Sequence, residues 1–154
     1  MTTSPSSAPP VPDEQLIRTF AWITVAFCGV LVLISAVGVF GLVPDGVVRG
    51  RGVVIGLALG LVSWFASRWV VRHALSAGAG RGRGTTSDAA VLGAAVFRAI
   101  AAAEAPALAG FAFAVVDGSD LGPVVIAIPL AIVAIIVNAS GPRAVRGHLA
   151  RLRA

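Results

Sequence analysis

The sequence predicts an all-α membrane protein: a four-transmembrane-helix bundle with both termini in the cytoplasm. Three observations carry this expectation. Apolar stretches occupy residues 19–43, 53–71, 89–116 and 121–139, and a helix needs about 20 apolar residues to cross the hydrocarbon core of a bilayer. The segments between them are short and polar. Hydrophobic residues make up 57% of the chain and charged residues only 12%, where a soluble domain has about a quarter of its residues charged. A mean hydropathy of +0.93 agrees.

Residues 1–18 read as a disordered Pro/Ser-rich tail. No basic residue opens it, and Asp13 and Glu14 precede an apolar run far longer than the h-region of a cleavable signal. The first apolar run is therefore a retained helix. Its lone Cys28 has no disulfide partner and reads as a small buried side chain. In the second helix Gly52, Gly56 and Gly60 recur every four residues, a stripe that lets another helix approach closely. An antiparallel hairpin of the second and third helices would bring Gly56 level with Glu104. The linker Ala77-Gly-Ala-Gly-Arg-Gly-Arg-Gly84 lacks the spacing of a phosphate loop and reads as a flexible basic connection. Ser87 and Asp88 supply an N-cap for the third helix. Thr24, Ser35, Ser63, Ser67 and Asn138 are polar positions expected to bond their own backbone. Asp88, Asp117 and Asp120 look like cap and turn residues.

All 12 basic residues are arginine and the net charge is +5, with a pI near 11.5. In a soluble protein that balance would point to nucleic acid. Here the arginines border the apolar runs, so anionic inner-leaflet headgroups are the expected partner and nucleic acid is not. Arg68, Arg72, Arg81 and Arg83 flank or fill the second loop, and Arg143, Arg146, Arg151 and Arg153 fill the tail. The third loop has Asp117 and Asp120 and no arginine, while the first has Arg49, Arg51 and Asp45. The positive-inside rule then places both termini and the second loop in the cytoplasm of a bacterial inner membrane. Trp22 and Trp69 fall at the same predicted interface. Residues 140–154 form a basic amphipathic tail. Val145, Leu149 and Leu152 share one face; Arg143, Arg146 and Arg153 share the other and, with Arg151, are lipid-headgroup candidates.

The third helix carries Glu104 near its middle. An acidic side chain at mid-bilayer costs about 2.5–3.5 kcal/mol on insertion scales if it stays charged. Glu104 must therefore be protonated, hold an ion, or face a partner or cavity. Arg98, six residues nearer the predicted inner interface, can snorkel outward. The two differ by about 120° around the helix, so they do not face each other. Pro106 frees the carbonyl of Ala102, and Pro129 in the fourth helix frees that of Val125. Paired kinks at similar depth would open a small polar pocket.

The glycine stripe, the basic loop and the segment Ala103-Glu-Ala-Pro-Ala-Leu-Ala-Gly110 resemble the hairpin of subunit c, the proteolipid of rotary ATPases. The resemblance spans residues 52–116. It implies that Glu104, followed by Ala105 and Gly110, is a carboxyl that binds a proton or sodium ion; Gly56, Pro106, Pro129 and Arg98 are the supporting residues that helix position and depth suggest. The chain departs from that family in its every-fourth glycine spacing and in placing the carboxyl on the third helix rather than the last. Small multidrug-type exporters also use a membrane glutamate in a four-helix unit, but in the first helix.

No HExxH, Cys–His pair or Ser/His/Asp set is present. His73 and His148 are expected to be solvated at the cytoplasmic boundary. No enzyme, metal site or cofactor is expected. The sequence thus leads to a helix-packing accessory or oligomeric component that partners itself or other membrane subunits, with proton or cation handling at Glu104 as the alternative.

Overall fold

The computed structural model describes residues 13–79 and 88–153. The extreme N-terminal tail, the linker arginines Arg81 and Arg83, the proposed cap Ser87 and the side chain of Arg153 lie outside the described residues. The chain order is α1 (Asp13–Val37), a π-helical turn (Gly38–Leu42), α2 (Gly50–Ala79) and α3 (Asp88–Asp117). Then come α4 (Gly122–Ala134), a second π-helical turn (Ile135–Ser140) and α5 (Pro142–Arg153). Four helical segments are long and apolar enough to cross a membrane, which makes the chain a multi-pass membrane protein.

Three of the helices begin earlier than the apolar pattern implies. α1 starts at Asp13, so residues 13–18 are helix and not tail. The reason is electrostatic: Asp13 and Glu14 occupy its first turn, where the helix dipole favours negative charge. α2 runs past the apolar stretch through Arg72 and His73 to Ala79. The hydropathy pattern marks where lipid ends, whereas the helix continues for as long as its backbone hydrogen bonds do.

α2, α3 and α4 form a tight three-helix core, and α1 lies at its edge. The inward face of α3 carries Leu92, Val96, Ala99, Ala103, Ala107, Gly110 and Ala114 at helical spacing. It meets Val124, Ala127, Ile128 and Ala131 of α4. Lipid is as apolar as leucine, so packing rather than the hydrophobic effect holds such helices together, and small residues bring the backbones close. Gly110 sits where the three meet: a Cβ there would lie 3.1 Å from Leu59 Cδ1 and 3.2 Å from the Pro123 carbonyl oxygen.

The glycine stripe of α2 faces α4. Gly52 abuts Asp120 and the Gly122 backbone; Gly56 lies against Ile126, and Gly60 against Leu130. The partners advance together, so the two helices run parallel in a constant register. Gly56 therefore packs on α4 and is not the neighbour of Glu104 that the α2–α3 hairpin alone would make it.

The two loops at the far end are stitched together. Val47 N–H donates to the Ser119 carbonyl at 3.0 Å, and Leu121 N–H to the Val47 carbonyl at 3.1 Å. Gly118, at φ 66°, closes α3 in the left-handed conformation that glycine adopts without strain. Its N–H bonds the Ala114 carbonyl at 3.0 Å.

Candidate functional site

Glu104 lies half-buried near the middle of the 30-residue α3, on the side that faces α1. Phe97 and Phe111, one heptad before and after it, mark that side. Phe97 meets Phe27 of α1 edge to face, with centroids 6.2 Å apart. Phe111 fills the space beside Gly38, where a Cβ would come within 2.6 Å of its ring. Among the described residues Glu104 has no hydrogen bond or ion pair. Ala103 and Ala107 beside it are buried in the core, whereas Ala101, Ala105 and Ala109 are exposed. Arg98 is exposed on α3.

The two prolines occupy different surroundings. Pro106 is half-buried on α3. Pro129 is exposed and borders an apolar groove of about 550 Å³ between α1 and α4, with Val32, Val39, Phe40 and Ile132. The groove beside Pro129 thus lies on the α1 side and is lined almost wholly by hydrocarbon.

The polar residues of the other end converge on the π turn after α4. Asn138 Nδ2 donates to the Trp64 carbonyl at 3.3 Å and to Ser67 Oγ at 3.2 Å. Ser67 Oγ in turn donates to the same carbonyl at 3.0 Å. Thr24 Oγ1 of α1 donates to the Phe20 carbonyl at 2.7 Å and shares a hydrogen bond with Ser140 Oγ at 2.6 Å. His148 of α5 donates from Nε2 to the Asn138 carbonyl at 3.0 Å. One six-residue turn therefore ties α1, α2 and α5 to α4. Ser63 bonds the Leu59 carbonyl at 3.1 Å, as expected of a helical serine. Asn138 departs from that expectation by bonding across to α2.

His148 is 6% exposed, not solvated. The π turn ends at Gly141, whose backbone is extended (ψ 154°), so the helical hydrogen-bond ladder is interrupted there. His148 supplies a donor to the Asn138 carbonyl across that break, and Val145 and Leu149 bury beside it. α5 is thus docked on the bundle, with Arg143, Arg146 and Arg151 outward. A single histidine has no periodicity to reveal such a role. His73 is exposed and stacks on Trp69, centroids 5.3 Å apart.

At the opposite end Asp120 is 4% exposed and caps two helices at once. Its Oδ1 accepts from the Gly122 N–H at 2.9 Å, at the start of α4, and from the Arg49 N–H at 3.2 Å, at the start of α2. Burial alone would raise this carboxyl. Backbone N–H groups of Gly122, Arg49 and Gly52, with the Arg49 charge, outweigh it and hold Asp120 below the usual carboxylate range. Nearby, Arg51 lies over the Phe113 ring at 5.7 Å and links α2 to α3.

Comparison with protein-family models, characterised proteins and solved structures returns no match. The geometry therefore has to carry the functional reading.

Proposed function

We propose that the chain is a non-enzymatic helix-packing component of a membrane, associating with copies of itself or with other membrane subunits. The observation that carries this reading is a ridge of exposed small residues on α3: Ala101, Ala105, Ala109 and Ala112. The glycine stripe of α2 is already used against α4 within the chain, whereas no helix among the described residues covers the alanine ridge. Small side chains three or four residues apart give little to lipid but allow a second backbone to approach. Glu104 borders the ridge, so a helix seated there would also shield its carboxyl from hydrocarbon. The arginine distribution favours a bacterial inner membrane with both termini in the cytoplasm.

Blue-native electrophoresis of mildly solubilised membranes tests this reading. The wild-type chain is expected in a complex larger than one copy. Ala105→Leu should shift it to lower mass, whereas Val54→Leu, on an exposed part of α2, should not. A wild-type chain migrating as a single copy contradicts the proposal.

A second reading, proton or cation handling, is favoured by Glu104 having no hydrogen bond or ion pair among the described residues at the α1–α3 seam. It matches the resemblance to the rotary proteolipids in the one residue that bears charge. Uptake of protons or sodium into proteoliposomes, lost in Glu104→Gln, would support it. Uptake absent from the wild type would exclude it.

A further inference from the structure

Arg68 and Arg72 of α2 stand one helical turn apart and face α5 across a pocket of about 220 Å³. Arg143, His148 and Arg151 line the opposite wall, and among the described residues no acidic side chain lines it. Among the described residues none of the four guanidinium groups pairs with a carboxylate. Four like charges around so small a space repel one another unless an anion sits among them. With each water taking about 30 Å³, the pocket has room for a phosphate and a few waters. The planar fork of arginine suits phosphate oxygens.

A second observation narrows the anion. Arg68 and Arg72 also border an apolar groove of about 650 Å³ that includes Phe65, Ala66 and Trp69. Phe65 and Trp69 are exposed large apolar side chains of a membrane-crossing helix. A basic pocket and an apolar groove thus share two arginines. The ligand that fills both has a charged phosphate joined to a hydrocarbon chain.

We propose that pocket and groove together bind one anionic phospholipid, its phosphate among Arg68, Arg72, Arg143 and Arg151 and an acyl chain along Phe65, Ala66 and Trp69. This is a built site, distinct from the diffuse attraction of a basic tail to a charged surface. Arg18, Arg98 and Arg146 carry the same charge but line neither space.

Native mass spectrometry of the purified full-length protein tests it, with phosphatidylglycerol and phosphatidylcholine supplied at equal concentration. One phosphatidylglycerol per chain should be retained in preference to phosphatidylcholine. Arg68→Gln and Arg72→Gln should each weaken its retention about fivefold. Arg18→Gln, which removes the same charge elsewhere, should change it by less than about twofold. Arg68, Arg72 and Arg18 are all exposed, and matched melting by circular dichroism confirms that the variants fold. Equal retention of the two lipids, or an equal loss in Arg18→Gln, overturns the proposal. So does binding of inorganic phosphate with the same arginine dependence while phosphatidylglycerol shows none, since the pocket would then serve a soluble anion.

Discussion

His148 Nε2 donates to the Asn138 carbonyl at 3.0 Å, across the break that extended Gly141 makes between the π turn and α5. This contact turns what would be a loose basic tail into a fifth helix seated on the bundle. His148→Ala leaves a buried carbonyl unsatisfied, at a cost of about 1–3 kcal/mol. The expected outcome is a lower melting temperature in detergent and faster proteolysis within α5. His148→Gln, which still offers an N–H, should recover part of the loss. Unchanged melting in His148→Ala would mean that the contact carries no weight.

Asp120 clamps the starts of α2 and α4, and its carboxyl is held low by the N–H groups it accepts. The sign of the pH effect follows. A depressed folded-state value stabilises above the unfolded value, near pH 3.9, and that stability fades as pH falls through the folded value. Melting measured from neutral pH down to about pH 3 should therefore drop at the acid end. Asp120→Asn accepts the same hydrogen bonds without titrating, so its acid loss should be smaller. Parallel curves for the two proteins would remove Asp120 from the account.

Gly56 and Gly29 form a matched pair. A Cβ at Gly56 would lie 2.7 Å from Ile126 Cβ and 2.9 Å from the Gly122 carbonyl oxygen, whereas nothing lies within 4 Å of one at Gly29. Gly56→Ala should destabilise by about 1–3 kcal/mol, because backbone has to move, and Gly56→Leu by more. Gly29→Ala should be neutral or mildly stabilising, since alanine is the better helix former. Equal melting shifts at the two positions would break the parallel α2–α4 packing described above.

Much of this architecture is legible in the sequence, because a bilayer imposes one strong rule on composition. Four apolar runs gave four spans, and the Gly52, Gly56 and Gly60 spacing gave a close approach. The identity of the partner was not legible: a glycine stripe says that a backbone comes near, not which one. Helix starts were missed at Asp13 because hydropathy tracks lipid rather than hydrogen bonding. Asn138 and His148 were missed because each acts alone, across the fold, with no repeat. Glu104 stood out at once, since a carboxyl in an apolar run is costly, but its place beside α1 depended on the register of Phe97 and Phe111 against Phe27 and Gly38.

Glu104 separates the two functional readings. A hydrophobic carbodiimide needs a protonated carboxyl in an apolar setting, which proton handling would provide. If that reading holds, the reagent labels the wild-type protein and not Glu104→Gln, and Glu104→Gln folds but carries no proton or sodium flux. If the carboxyl serves only packing, Glu104→Gln retains complex formation and Glu104→Leu weakens it. Intact behaviour of both variants in both assays would leave Glu104 outside either function.

The most direct measurement is disulfide crosslinking at the alanine ridge in native membranes, on a Cys28→Ala background. Association through α3 predicts that Ala105→Cys forms a covalent adduct on oxidation, at twice the chain mass for self-association or at a partner's added mass otherwise. Val54→Cys, exposed on α2, should give none. An Ala105→Cys chain that remains monomeric after oxidation, and reacts fully with a thiol reagent dissolved in the lipid, would contradict the account.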